Sequence, residues 1–434
     1  SVILACPESF FVLKKDSRQA GMTPIETGFA MNKRVVITGL GVISSIGIGW
    51  EEFWHSLLEG KLGISPVSSF DTTNHFTHNG GEVKNFKPEE FIPREQLKFL
   101  SRASQLALVA AKLAIKDTKL SQKNISNIRV GTCIGTTTGS IQVIEEIDDK
   151  LVKNEEIHGD LICQLPTHTT PAVIAKELNL NGPNFMFSTA CAAGNYAIGY
   201  GYDLIRFNKA DIILAGGSDP FSRISFTGFN QFSAVAPEKC QPFDKNRKGM
   251  MVAEGAGVLI LETLESALKR EAPIYAEILG YGLSCDAHHM TNPSVEGISE
   301  CIIKAMHQAG IEIEDVDYIS AHGTGTQHND RNECAAIKKV FGPLYKKIPI
   351  SSIKSMLGHT MGAASALEAI ACALIVKNDI IPPTINFETP DPECDIDCVP
   401  NQARKHLVNI ALNNSFAFGG NNASLVLKKF ISGS

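Results

Sequence analysis

One cysteine lies where the sequence changes from a strand pattern to a helix pattern. Cys191 follows the apolar run Phe185–Ala190 and precedes a stretch of small residues. At the N-terminus of a helix, unpaired N–H groups and the helix dipole favour an anion. We therefore expect a thiol with a lowered pKa, which would act as a nucleophile near neutral pH. From position alone, an inert buried cysteine is an equally good interpretation.

Two histidines lie at strand ends beside glycine. His322 opens the segment His322–Thr326 after one strand pattern, and His359 follows Gly358 after another. Either histidine alone is more often a structural residue. Two neutral imidazoles together can donate N–H bonds to a carbonyl oxygen and stabilise an enolate as its charge develops. The pair therefore predicts a shared pocket for enolate chemistry beside Cys191.

A lysine and a glutamate are candidates for a buried ion pair. Lys354 lies shortly before His359, and Glu333 lies shortly after His322. A charged lysine near Cys191 would lower the pKa of the thiol. Glu333 would be its partner, because an unpaired buried charge is costly. Two surface charges are the alternative, since lysine and glutamate are seldom fully buried.

A glycine-containing loop follows the apolar strand pattern Val408–Ser415. The loop reads Phe416–Asn422 and contains Gly419 and Gly420. Glycine permits backbone geometry that is closed to other residues. Such a loop can aim a backbone N–H at an oxyanion and carry an aromatic gate. A tight turn between two strands is the alternative.

The elements that must hold these residues alternate along the chain. Short apolar strands such as Val35–Leu40, Arg129–Gly135 and Asp211–Gly217 suit a buried sheet covered by helices. Between the strands lie helical patterns with a period near 3.6. The alternation predicts α/β layers. The helices that begin after Cys191 and His359 are rich in alanine and glycine, as closely packed central helices must be.

The two parts of the chain have a similar order of elements. In each part, a strand leads into a small-residue helix, once at Cys191 and once near His359. We predict an N-terminal extension at residues 1–30, a first half at residues 31–285 with Cys191, and a second half at residues 286–434 with both histidines.

Composition excludes several classes of protein. The chain has 434 residues and a formal net charge of −6, which argues against broad nucleic-acid binding. Its 11 cysteines include no Cys-x-x-Cys pair, so we expect no metal site. The richest apolar window, Ala363–Val376, is interrupted by Ser365 and Glu368 and is short for a membrane span. We expect a cytoplasmic protein with reduced cysteines, no membrane contact and no nucleic-acid partner.

Four segments in order resemble the elongating β-ketoacyl-acyl-carrier-protein synthases, condensing enzymes of the thiolase-like superfamily. The segments are Thr189–Cys191, His322–Glu333, Lys354–His359 and Phe416–Gly420. The resemblance covers nearly the whole chain beyond the extension. It implies a thiolase-like α/β fold, with two related halves in a five-layered αβαβα sandwich. The second segment is also similar to the ketosynthase subunits of bacterial type II polyketide systems.

The resemblance implies an acyltransferase that extends an acyl chain by two carbons. Cys191 would carry the acyl chain as a thioester, and His322 and His359 would assist the decarboxylation of malonyl-carrier protein. Lys354 and Glu333 would hold the electrostatic frame.

Further roles follow from the same resemblance. Backbone N–H groups of Cys191 and Phe418 would form an oxyanion hole, and Phe418 would gate the acyl tunnel. Thr324 and Thr326 would contact the phosphopantetheine arm. The other implied substrate contacts are Phe416 and Thr138.

The implied partner is an acyl carrier protein, which is acidic in this family and carries the phosphopantetheine itself. We therefore expect no bound cofactor. Arg94 and Lys98 correspond to basic docking positions, with simple solvated charge as the alternative. The implied assembly is a homodimer, or a heterodimer with a homologous chain-length subunit.

Alternatives within the same fold remain. The chain could serve fatty-acid synthesis or be the catalytic ketosynthase of a type II polyketide or polyene pathway. A non-catalytic partner subunit would lack the nucleophile, so Cys191 with both histidines argues against it. A CoA thiolase would carry a second cysteine in a C-terminal Cys-x-Gly segment, where this chain has Phe416–Gly419.

Overall fold

The computed structural model of the protein describes residues 33–121 and 125–432. The predicted extension at residues 1–30 lies outside these ranges. The described strands are β1 Val35–Ser44, β2 Gly47–Ile48, β3 Ser65–Pro66, β4 Asn79–Gly80, β5 Val130–Gly135, β6 Asn184–Phe187, β7 Ile212–Asp219, β8 Gly255–Thr263, β9 Ala276–Cys285, β10 Tyr318–Ser320, β11 Ile350–Ser351, β12 Ile380–Ile381, β13 Arg404–Lys405, β14 Ile410–Phe416 and β15 Asn421–Lys428.

The main sheet repeats one topology twice. It has 11 strands in the order β11-β10-β14-β15-β9-β1-β8-β7-β5-β6, with β2 added beside β1. Without β2, each half contributes five strands to this sheet. From the outer edge inwards, they are the third, second, fourth, fifth and first of those strands in chain order. The outer three strands of each half are parallel, and the remaining pairs are antiparallel. The predicted fold of two related thiolase-like halves is confirmed.

The two halves meet where their first strands pair. Val35–Ile37 of β1 lies antiparallel to Ala276–Ile278 of β9. The predicted division at residue 285 stays a prediction. However, β9 has the place in the second half that β1 has in the first, which favours a division before Ala276.

Helices cover both faces of each half. The described α-helices are α1 Trp50–Glu59, α2 Arg94–Leu97, α3 Arg102–Asp117, α4 Ile141–Val152, α5 Gly159–Ile162, α6 Thr169–Leu178, α7 Ala193–Arg206, α8 Arg223–Gln231, α9 Leu264–Lys269, α10 Val295–Ala309, α11 Gln327–Phe341, α12 Lys354–Leu357 and α13 Ala364–Asn378. Helices α3 and α6 cover the first half, and α10 and α11 cover the second. Helices α7 and α13 lie between the halves and contact each other. This arrangement gives the five layers.

The central helix α13 explains the most apolar part of the sequence. Every residue from Ala364 to Val376 is buried, so this stretch of the helix has no face exposed to solvent. Residues Met361–Asn378 are long and apolar enough to cross a membrane, but 89% of that window is buried inside the protein. Its composition therefore fits its position between the two halves of the main sheet.

Candidate active site

The turn that carries Cys191 is a strained connection between β6 and α7. Ala190 has φ 49°, and the 3-10 turn Ala190–Ala192 leads into the helix. A non-glycine residue in this conformation costs on the order of 1–3 kcal/mol and persists only where its surroundings hold it. The hydroxyls of Ser365 and Ser415 donate to the Cys191 carbonyl oxygen at 3.2 and 3.0 Å. Both come from the second half, so packing between the halves holds the turn.

Two histidines of the second half meet Cys191 in a buried cluster. The Nε2 atom of His359 lies 3.1 Å from the Cys191 Sγ atom. The ring centroids of His322 and His359 are 5.5 Å apart, with 82° between the ring planes. The sulfur and one nitrogen of each ring lie within 4.8 Å of one another. A single substrate oxygen can therefore contact both rings beside the sulfur. The same three donors could also hold a metal ion, so the predicted absence of metal stays a prediction.

His359 is held as one tautomer. The backbone N–H of Met361 donates to Nδ1 of His359 at 3.1 Å, so Nδ1 is the unprotonated nitrogen of the neutral ring. The proton then lies on Nε2, which faces the sulfur of Cys191. Burial and the charge of Lys354 hold the pKa of His359 well below its usual value. Near neutral pH this ring is an N–H donor.

His322 is neutral for the same physical reasons. Burial, the charge of Lys354 and the neighbouring His359 hold its pKa well below the usual value. Its Nδ1 atom is buried and has no hydrogen-bond partner among the described residues. Two uncharged imidazoles therefore face one another across the site.

The thiol of Cys191 is less acidic than the sequence predicted. Burial raises its pKa to about 12, because desolvation penalises the thiolate. The charge of Lys354 and the backbone N–H groups of Cys191 and Phe418 act in the opposite direction, while Asp219 adds to the increase. The expected lowering at a helix N-terminus is thus wrong, because the start of the helix does not compensate for the loss of water around the sulfur.

Lys354 pairs with Glu368, which was not among the predicted site residues. Its ammonium group contacts the carboxylate of Glu368 on α13, and both side chains are 1% exposed. It also donates to the carbonyl oxygen of His322 at 2.7 Å. The predicted ion pair between Lys354 and Glu333 is wrong. A signal for Glu368 was present in the sequence, since it is the one charged residue of the window Ala363–Val376 and a buried charge needs a partner.

Glu333 instead holds the backbone at His322. Its carboxylate oxygens accept the N–H groups of His322 and Gly323, both at 2.8 Å, and the Asn329 side-chain amide at 3.3 Å. Burial raises the pKa of Glu333 to about 7. Glu333 therefore fixes His322 from its amide side, while Lys354 contacts its carbonyl oxygen.

A pocket opens onto this cluster. It brings together seven of the residues predicted for the site: Cys191, His322, His359, Thr324, Thr326, Phe416 and Phe418. The hydroxyl groups of the two threonines are 2.9 Å apart. Two further lining residues, Asn329 and Ala417, belong to the predicted segments but were given no role. The other lining residues lie outside these segments: Phe229, Ala234, Met250, Met290, Thr291 and Pro293.

The loop after β14 borders the pocket with aromatic rings. The ring of Phe418 lies 5.8 Å from that of Phe229, and the ring of Phe416 lies 6.1 Å from that of His322. Gly419 and Gly420 have φ 78° and 80°, a region that favours glycine. The glycines therefore allow the sharp turn that brings the Phe418 N–H towards the sulfur.

Three predicted contacts lie outside the lining of this pocket. Thr138 was expected to line it, but its hydroxyl and its N–H both donate to Asp219 at 2.9 Å. Arg94 lies on α2 and Lys98 directly after it, and both side chains are exposed. The Lys98 ammonium lies 4.7 Å from the ring centroid of Phe99.

Known proteins resemble the chain over nearly all its length. Residues 32–267 match the model of the β-ketoacyl synthase N-terminal domain, and residues 275–388 match that of the C-terminal domain. The 3-oxoacyl-[acyl-carrier-protein] synthase 2 of Synechocystis sp. is 40% identical over 92% of this chain and 98% of that protein.

The solved structures that share the fold include two ketosynthase complexes. The ishigamide ketosynthase/chain length factor has a TM-score of 0.89 and 45% identity, over 92% of this chain and all of that one. A type II polyketide synthase acyl-carrier protein in complex with its ketosynthase, AntDE:AntF, matches with a TM-score of 0.83 and 36% identity over the same shares.

Proposed function

The chain belongs to the β-ketoacyl synthase family, and from this membership we propose that it is a β-ketoacyl-acyl-carrier-protein synthase. It would join an acyl thioester to malonyl-carrier protein by decarboxylative condensation. The observation that carries the proposal is the Cys191 sulfur lying 3.1 Å from the His359 Nε2 atom in a buried pocket with His322.

The first step loads the acyl chain onto Cys191. The sulfur attacks the thioester carbon of acyl-carrier protein, and the bond to the phosphopantetheine sulfur breaks. The thiol proton ends on that departing sulfur, so no net proton is released. Because burial raises the thiol pKa to about 12, the proton must leave as attack proceeds.

The second step removes the carboxylate of malonyl-carrier protein. Carbon dioxide leaves, and the electron pair of the broken bond forms an enolate. N–H bonds from His322 and His359 to the enolate oxygen would stabilise this charge, and the neutral state of both rings supplies the donors. The three side chains are buried, which strengthens these hydrogen bonds.

The third step forms the carbon–carbon bond. The enolate carbon attacks the acyl carbonyl on Cys191, and the backbone N–H groups of Cys191 and Phe418 would hold the oxyanion. The bond to sulfur then breaks, Cys191 recovers a proton from solvent, and a β-ketoacyl-carrier protein two carbons longer is released.

We propose an acyl carrier protein as the partner, docked near Arg94 and Lys98. Their exposed positive charges complement an acidic carrier. Replacing both residues with glutamate should raise KM for the carrier several-fold with a smaller effect on kcat, because rim charges act mainly on association. Steady-state kinetics at low and high salt measure this. An unchanged KM at low salt would leave the two charges without a docking role.

A second candidate is the catalytic ketosynthase of a type II polyketide or polyene pathway. The 45% identity to the ishigamide ketosynthase/chain length factor favours it over fatty-acid elongation. Such a protein would pair with a similar chain-length subunit. Strand β6 offers a surface for either kind of dimer, because it lies at the edge of the described sheet and its Phe185 is 38% exposed.

Two measurements test these proposals. Intact-mass analysis after incubation with a panel of acyl-carrier proteins should show one acyl group added to Cys191, and the preferred acyl group separates the pathways. Expression alone and with homologous chains should show a cytoplasmic homodimer for fatty-acid elongation, or a stable protein only with a second subunit for the polyketide candidate. No acyl adduct with any carrier would remove the proposed function.

A further inference from the structure

The second half of the fold contains a turn of the same build as the one that carries Cys191. Met361–Ala363 form a 3-10 turn that leads into α13, and Met361 has φ 52°. In the first half, Ala190 has the corresponding place with φ 49°. Gly362 therefore occupies the position in the second half that Cys191 has in the first.

A buried carboxylate occupies the N–H group at this second position. The Oδ2 atom of Asp219 accepts the Gly362 N–H at 2.6 Å and the Thr137 N–H at 2.7 Å. The Oδ1 atom accepts the Thr138 N–H and hydroxyl, both at 2.9 Å, and the Thr136 hydroxyl at 2.8 Å. All of these groups are donors, so the surroundings fit a deprotonated carboxylate.

The space at Gly362 is closed to any side chain. A Cβ atom there would lie 2.7 Å from Asp219 Oδ2 and 2.6 Å from the Thr137 nitrogen. The second turn therefore cannot present a nucleophile of its own, and its N–H group is permanently used by Asp219.

The bond between Asp219 and Gly362 reaches the active site through the neighbouring residue. Met361 directly precedes Gly362, and its left-handed conformation must be held from outside. The N–H of Met361 is the group that donates to His359 Nδ1 at 3.1 Å. A shift of this turn would move the donor that fixes the tautomer of His359.

On the basis of the proposed function, we propose that Asp219 is a positioning residue for the condensation. Its carboxylate holds the turn at Met361, whose N–H keeps the proton of His359 on Nε2, facing the sulfur and the enolate oxygen. Asp219 itself does not belong to the residues that line the pocket.

The variant Asp219→Asn tests the proposal, because an amide cannot accept bonds from donors on both sides. Malonyl decarboxylation should fall about 10- to 100-fold, since a small displacement of a reacting group costs that much. Acyl loading of Cys191 should not fall in parallel, because removal of the negative charge favours the thiolate. In protein labelled with ¹⁵N-histidine, the His359 signal should change from the Nε2-protonated form to a mixture of tautomers.

Asp117→Asn is the matched control. Asp117 also accepts several bonds, from Leu40 N at 2.8 Å, Trp50 Nε1 at 3.0 Å and Tyr275 Oη at 2.9 Å, and none of these donors belongs to the turn Met361–Ala363. This variant should lose thermal stability and keep the wild-type ratio of decarboxylation to loading. A wild-type ratio of decarboxylation to loading in Asp219→Asn would overturn the proposal, as would a His359 spectrum unchanged from that of the wild type.

A milder variant covers the case in which Asp219→Asn does not fold. Thr136→Val removes one hydroxyl donor from the carboxylate and should lower decarboxylation relative to loading by a smaller factor. An unchanged ratio, or a wild-type His359 protonated on Nδ1, contradicts the proposal. Wild-type protein that neither loads nor decarboxylates would overturn the proposed function instead, so the two failures are distinguishable.

Discussion

The turns at Cys191 and at Gly362 share one backbone conformation, but different chemical groups occupy them. Both consist of a left-handed first residue, a 3-10 turn and a long central helix. In the first, a thiol faces backbone N–H groups and a histidine. In the second, glycine leaves room for a carboxylate that fills the place.

The difference shows what makes such a turn reactive. The strained backbone is common to both, so strain alone supplies no chemistry. Reactivity needs a nucleophile in the second position and backbone N–H groups that face it, rather than an N–H group bonded to a fixed carboxylate. The second turn has neither, and it stabilises His359 for the first one instead.

Making the first turn as unreactive as the second should have the largest effect. Cys191→Ala is expected to abolish acyl loading and to lower condensation by roughly 10⁴-fold or more, because the nucleophile is lost. Malonyl decarboxylation should continue, since both histidines remain. Intact-mass analysis and carbon dioxide release measure the two steps. An unchanged condensation rate in a folded variant would remove the mechanism.

Removing a donor from the first turn's surroundings should have the next largest effect. His322→Ala is expected to lower malonyl decarboxylation about 10²- to 10³-fold, as for loss of an oxyanion donor. Loading of Cys191 should fall much less, because His322 is not the group in contact with the sulfur. Full decarboxylation by this variant would assign His322 another role.

The buried ion pair between Lys354 and Glu368 can be tested through the stability of the protein. Lys354→Met leaves the buried Glu368 without its partner and should lower the free energy of unfolding by about 3–5 kcal/mol. Adding Glu368→Leu should recover much of this loss, because the remaining buried charge is then removed. Urea unfolding of the single and double variants measures the coupling. No recovery of stability in the double variant would contradict the observed pairing.

The smallest expected effect is the change in the alkylation rate of the Cys191 thiol with each pH unit. With a pKa raised to about 12 by burial, alkylation of Cys191 by iodoacetamide should accelerate about tenfold per pH unit between pH 7 and 10, as the thiolate fraction grows. The Cys191→Ala protein corrects for the exposed Cys163 and Cys285. A plateau near neutral pH would instead support the lowered pKa that the helix N-terminus suggested.

Much of the site could be predicted because its residues lie in short local segments. Cys191, His322 and His359 each follow a strand pattern, and the residues around them resemble family segments in the same order. The partner of Lys354 could not be predicted in this way. Glu368 lies on a central helix, and tertiary packing decides which residues it contacts. Glu333 lies close to His322 in the sequence, but its carboxylate binds the His322 backbone and not Lys354.

The sequence by itself determined the residue types, the two strand-to-helix turns and the repeated order of strands and helices, because these depend on contacts between near neighbours. The tertiary structure alone decided the thiol pKa, the tautomer of His359 and the carboxylate at Gly362. Each of these three properties depends on contacts between groups far apart in the chain and on burial away from water. The local pattern of residues determines neither the contacts nor the burial.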